Sequence, residues 1–132
     1  MVRMGLLMAL MVMVSSTSVL AQSPTLLTPL VVNGERYFTL QWEAADRKGR
    51  PVVRGSIFND FGVPARKIRL LVDSLDAAGG VTAQTIGYVP SELNGGNRSY
   101  FEVPVPARAA TYHVAVFQWE WLQFGGDDTN RR

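Results

Sequence analysis

The sequence predicts an all-β fold, an antiparallel β-sandwich preceded by a short N-terminal leader. Two observations lead there. Segments rich in β-branched and aromatic residues recur along the chain with Gly, Pro, Asn and Asp between them, which is the punctuation of strands and turns. No window beyond the leader places apolar residues at the helical period of ~3.6. A third observation sets the size. The chain has 132 residues, and a single sandwich domain takes roughly 100.

Residues 1–21 have the three-part pattern of a secretory signal peptide. Arg3 supplies the positive start, residues 5–14 (GLLMALMVMV) form the apolar run, and residues 15–21 (SSTSVLA) are small and mostly polar. Val19 and Ala21 stand at the third and first positions before Gln22, small enough for shallow peptidase pockets. Cleavage is therefore expected between Ala21 and Gln22. The alternative is an uncleaved anchor, but spanning a bilayer takes ~20 apolar residues and this run stops at Ser15. Nothing later in the chain is long and apolar enough to span, so no membrane span is expected after cleavage. The expected location is the periplasm or the outside of the cell.

The mature chain then divides into strands and turns. Residues 22–28 (QSPTLLT) read as a loose lead-in, and Leu26, Leu27, Leu30, Val31 and Val32 as a short first strand broken by Pro29. Asn33-Gly34 is a turn signal. Residues 36–43 (RYFTLQWE) read as a strand, and residues 44–50 as a polar connection containing Asp46 and Gly49. In residues 52–59 (VVRGSIFN), Val53, Gly55 and Ile57 share one face, because side chains alternate along a strand. Residues 60–64 (DFGVP) turn the chain. In residues 66–75 (RKIRLLVDSL), Ile68, Leu70 and Val72 share a face. Asp76 opens the next turn, since its side chain can accept from main-chain amides two residues on. Strands follow at residues 81–89, 98–105 and 111–122, with Phe101, Val103 and Val105 on one face of the second. About seven strands in one domain match an immunoglobulin-like sandwich. The expected division is a signal peptide over 1–21, the sandwich over 22–124 and a polar, disordered tail over 125–132. Val53, Ile57, Ile68, Leu70, Val72, Phe101, Val103, Val114 and Val116 are the expected core.

A set of these features occurs in a familiar order. It starts with Val53-x-Gly55-x-Ile57-x-Asn59, then Ile68-x-Leu70-x-Val72 followed by Leu75-Asp76 and Gly79 or Gly80. Leu93, Gly95-Gly96, Phe101-x-Val103 and Tyr112-x-Val114-x-Val116 complete it. About half of the chain thus resembles the small immunoglobulin-like domains of the FxLYD type and the related water-stress (late-embryogenesis-abundant) sandwiches. Ser74 departs from the pattern, which often has an aromatic residue before the aspartate. The resemblance implies a seven-strand sandwich with a binding or accessory role, and it carries over no catalytic residue.

Composition narrows the chemistry. The chain contains no cysteine, so disulfides, thiolate nucleophiles and zinc–thiolate sites are excluded. Its net charge is +2, with 13 basic and 11 acidic residues. Loss of Arg3 with the leader leaves 12 against 11, too balanced to steer the domain toward nucleic acid or an anionic membrane. His113 is the single histidine, so a Ser-His-Asp triad or a histidine metal cluster would have to use it. Its position in mid-strand favours a histidine on an outer sheet face. Asp60, Asp73, Asp76, Glu92, Glu102 and Glu120 are scattered, and no spacing marks the carboxylate pair of a glycosidase. Asp127-Asp128 lack calcium-loop spacing, and Asn97-Arg98-Ser99 matches the short N-glycosylation pattern. A non-enzymatic module without cofactor or metal is expected.

Phe117, Trp119 and Trp121 carry more information. They alternate with Gln118 and Glu120 and so share a strand face, with Tyr112, Val114 and Val116 on the other. If the valines face the core, the aromatics form an outward stripe suited to sugar stacking or protein docking. The structural alternative is a bulge after Val116, or a cover supplied by Phe38, Leu40 and Trp42. The leading expectation is a protein-binding module of the cell envelope. The second is a carbohydrate-binding module using Trp119 and Trp121.

Overall fold

The computed structural model describes residues 25–122. The leader, its cleavage position and the tail from Gly125 lie outside the described residues. Six strands form two three-stranded antiparallel sheets: β1 (Phe38–Arg47), β2 (Arg50–Asn59), β3 (Ala65–Leu75), β4 (Val81–Tyr88), β5 (Arg98–Pro104) and β6 (Thr111–Trp121). The strand order is β1-β2-β5 in one sheet, here sheet A, and β4-β3-β6 in the other, sheet B.

The two sheets pack through the faces that alternation assigns to the core. All nine expected core residues are buried and belong to one apolar cluster, with Val53, Ile57, Ile68, Leu70 and Val72 at 0% exposure. Phe101 and Val103 enter it from sheet A, and Val114 and Val116 from sheet B. Phe38, Ala65, Val89, Leu93, Val105 and Trp119 complete the cluster. Burial of this kind contributes roughly 1.5–3 kcal/mol per large aliphatic side chain, so the core can hold the fold without disulfides.

Two local differences from the sequence reading have physical causes. Residues 44–50 are not a connection. β1 pairs with β2 without a break from Phe38↔Asn59 to Arg47↔Arg50, and only Lys48 and Gly49 turn the chain, with φ of 51° and 78°. That is the φ signature of a type I′ hairpin turn, and lysine at its first position hides the signal that Asn-Gly would give. Residues 25–32 form no strand, so the described domain has six strands rather than seven. Pro29 has no N–H for a ladder, and the neighbouring amides of Leu30 and Val31 both reach one acceptor, the Phe117 carbonyl, at 2.8 and 3.4 Å. Asn33-Gly34 does turn the chain: Asn33 takes a left-handed φ of 65° and leads into a single 3-10 turn, Gly34–Arg36.

Side chains set two other turns. Asp76 Oδ1 accepts from the amides of Ala78 and Gly80 at 2.9 and 2.8 Å. Asn59, fully buried at the end of β2, donates from Nδ2 to the Val63 and Leu93 carbonyls at 2.9 and 3.0 Å. Its Oδ1 accepts from the Phe61 amide at 2.9 Å. One side chain thereby ties the β2–β3 loop to the loop that carries Leu93.

Candidate functional site

The aromatic residues of β6 do not form an open stripe. Leu70 pairs with Val116 but Arg69 pairs with Gln118, which leaves Phe117 as an extra residue in β6. A second irregularity lies between Arg66↔Glu120 and Arg69↔Gln118; it includes Lys67, whose φ is 50°. Such bulges reset alternation, and Val114, Val116 and Trp119 therefore all join the core. Trp119 is 6% exposed and Phe117 8%. Trp121 is half-buried against the core cluster.

β1 supplies the cover. The Phe38 ring meets Trp119 edge-on at 5.1 Å and stacks on Trp121 at 5.7 Å. Tyr37 and Phe61 close on Trp121 at 5.4 and 5.0 Å. Trp42 lies farther along, 37% exposed, with its indole N–H donating to the Tyr112 carbonyl at 2.9 Å and its ring edge-on to His113. Phe117 stays outside the inter-sheet cluster. A flat sugar platform built on Phe117, Trp119 and Trp121 is thus replaced by a packed corner.

The carboxylates considered from the sequence are dispersed, and five of the six, all but Glu92, have a hydrogen-bond or ion-pair partner. Glu120 pairs with Arg66 at 3.1 Å, and Asp60 accepts from the Thr39 hydroxyl at 2.5 Å. Asp73 accepts from Gln84 Nε2 at 2.9 Å and stands opposite the exposed His113 across the β3–β6 pairing. Among the described residues, no group of three acidic, His or Cys side chains converges in metal-binding geometry.

The outer face of sheet A has a different character. Strand pairing lines up two rows of side chains there: Glu43, Arg54 and Glu102, and beside it Gln41, Ser56 and Tyr100. They line a groove of about 950 Å³, bordered by Tyr88, Pro90 and Arg98. Tyr100 is 72% exposed and Tyr88 64%. The Arg69 guanidinium sits 5.6 Å over the Tyr88 ring, a cation–π contact that restrains the ring. Arg54 bonds Glu43 at 3.0 Å, and Glu102 bonds Arg47 at the rim. The four charged side chains that line the groove, Glu43, Arg54, Arg98 and Glu102, are balanced in sign.

Gly55 explains the floor. A Cβ at this position would lie 1.8 Å from the Gln41 carbonyl oxygen and 2.7 Å from the Trp42 Cα. Only glycine permits β1 to approach β2 this closely. The sequence carried a signal for this face. In residues 98–105 the alternation that sends Phe101 and Val103 inward sends Arg98, Tyr100 and Glu102 outward, so an exposed tyrosine between two charges was there to be read. Its alignment with Arg54 and Gln41 depends on the β1–β2–β5 register, which the sequence does not state.

Comparison with protein-family models, with curated proteins and with solved structures finds no match to this chain.

Proposed function

We propose that this protein is an exported, non-catalytic binding module of the cell envelope or the extracellular space, and that its contact surface is the outer face of sheet A. The leader pattern supports export. The observation that carries the binding role is the groove itself, with Tyr88 and Tyr100 standing exposed beside Arg54 and Arg98. Tyrosine and arginine are enriched in binding hot spots: tyrosine offers large contact area with little side-chain entropy to lose, and arginine offers a planar fork of several hydrogen-bond donors. A protein segment is the partner this composition favours. The resemblance to FxLYD-type and water-stress immunoglobulin-like domains agrees with a binding or accessory role.

A second reading is a carbohydrate, and a specific observation favours it. The groove combines two tyrosine rings with planar amide, carboxylate and guanidinium groups whose charges balance. That is the chemistry that stacks on and hydrogen-bonds a neutral sugar. It moves the carbohydrate reading from Trp119 and Trp121 to Tyr88 and Tyr100.

The test is a Tyr88→Ala/Tyr100→Ala double variant, assayed for melting, for protein capture from envelope extract and for glycan-array binding. Unchanged melting with loss of a captured protein supports the first reading. Unchanged melting with loss of a glycan signal supports the second. Retention of every wild-type partner by a folded double variant refutes the surface.

A further inference from the structure

The opposite outer face, that of sheet B, is crossed by the chain that precedes β1. The Leu27 amide donates to Gln84 Oε1 at 2.8 Å, and Gln84 Nε2 donates back to the Leu27 carbonyl at 3.0 Å. Three residues later the Leu30 amide donates to the Phe117 carbonyl at 2.8 Å. Gln84 is on β4, Phe117 on β6, and β3 runs between them, so residues 27–30 cross over β3. Leu71 of β3 stands outside the core cluster yet is only 3% exposed, as a cover over β3 would make it.

This strap shows solvent an aliphatic ridge. Leu26, Leu27, Leu30 and Val32 are 50, 46, 65 and 72% exposed. Val31 turns the other way and packs against the core cluster. Past Val32 the strap borders a cleft of about 640 Å³ between β1 and β6, lined by Phe38, Leu40 and Val114 together with the polar Glu35 and His113. No charged residue occurs between Arg3 and Glu35.

We propose that this ridge is a lipid-contact surface, which rests the domain on an envelope bilayer with the sheet A groove turned away from it. Four features fit a bilayer better than a protein partner. The exposed side chains are leucine and valine, which are under-represented in protein hot spots. The main-chain N–H and C=O of Leu27 and the N–H of Leu30 are already bonded to sheet B, so approach to an apolar phase strands fewer polar groups. The strap carries no charge to desolvate. It is also the part of the fold nearest in sequence to the leader that brings the chain to a membrane. An exposed aliphatic patch of this kind gives shallow, reversible attachment rather than a fixed anchor. The proposal rests on the export reading, because export is what brings a bilayer to this face; it does not depend on the groove.

The test uses the exported protein as purified from its host, with neutral phosphatidylcholine vesicles and mixed phosphatidylethanolamine–phosphatidylglycerol vesicles in sedimentation assays. Wild type is expected to sediment with both, with little dependence on salt, since the ridge has no charge to screen. Leu26→Glu/Leu30→Glu should lose at least about tenfold in bound fraction with an unchanged melt. Leu26→Ser/Leu30→Ser is a second variant that adds no charge and should lose binding in the same direction. Tyr88→Ala/Tyr100→Ala should sediment like wild type even if it loses every other partner. Wild type that stays in the supernatant, or ridge variants that sediment like wild type, would overturn the proposal. So would a wild-type dimer that ignores vesicles and becomes monomeric in the ridge variants, which would make the ridge a contact between copies.

Discussion

Removal of the Asn59 side chain should weaken the whole fold, although the residue has no part in the apolar core. Asn59 is 0% exposed and makes three side-chain hydrogen bonds, two donated to the carbonyls of Val63 and Leu93 and one accepted from the Phe61 amide. In Asn59→Ala these groups lose their partner. The Leu93 carbonyl keeps a bond from the Ala65 amide, so its loss is the smallest, while Phe61 N–H and Val63 C=O are left to whatever water reaches the loop. A stranded polar group costs ~1–3 kcal/mol when buried, and partial solvation lowers that. The expected loss is about 2–4 kcal/mol, or roughly 10–30 °C in Tm for a domain of this size. Urea unfolding followed by tryptophan fluorescence reads it as a lower midpoint at unchanged slope.

Asn59→Asp sharpens the test, because shape is kept while the donor becomes an acceptor facing two carbonyl oxygens. Burial and those oxygens disfavour the carboxylate, so the folded-state pKa of the new aspartate should lie above its unfolded value. Its native state then binds more protons than its unfolded state between the two values. Stability should fall as pH rises through the folded-state pKa and recover in acid. An Asn59→Ala midpoint equal to wild type, or an Asn59→Asp variant that gains stability as pH rises, would refute the tie between the two loops.

Three further predictions concern the fold around the two outer faces. Gly55→Ala places a Cβ within 1.8 Å of the Gln41 carbonyl, so β1 must move off β2 and circular dichroism should report an unfolded or strongly destabilised chain; native-like melting would contradict the close approach. Trp119→Ala, at a residue 6% exposed, should cost ~3–5 kcal/mol in urea unfolding, and a cost below about 1 kcal/mol would place the ring outside the core. Lys48→Asn, at φ 51°, should raise stability by roughly 0.5–1 kcal/mol because asparagine accepts the left-handed conformation more readily, whereas a lower midpoint would argue against the type I′ turn.

Legibility of the sequence followed the range of the interactions involved. Period-two alternation is local, and it placed Val53, Ile57, Ile68, Leu70, Val72, Phe101 and Val103 in the core. Turn chemistry carried by a side chain was equally local, as at Asp76. Three features were not legible because they are set by pairing between distant residues. The extra residue at Phe117 is defined only against β3, and without it the alternation of β6 points Trp119 the wrong way. The two-residue turn at Lys48-Gly49 depends on positive φ at a lysine, which composition does not reveal. The groove on sheet A needs Gln41, Arg54 and Tyr100 in register across three strands far apart in sequence. The leucines and valines of the strap suit a strand, but Pro29 and the single Phe117 acceptor make it a crossing segment instead.

Site-specific photo-crosslinking in the exporting cell tests whether the outer face of sheet A is where this domain meets its partner. A photoreactive phenylalanine analogue replaces Tyr100, which is 72% exposed in the groove, and in a control it replaces Thr82, exposed on β4 of sheet B. A discrete crosslinked species is expected from position 100 that is absent from position 82 and disappears when Arg54→Ala is added. Crosslinks from position 82 alone, or a species from position 100 that Arg54→Ala leaves untouched, would contradict it.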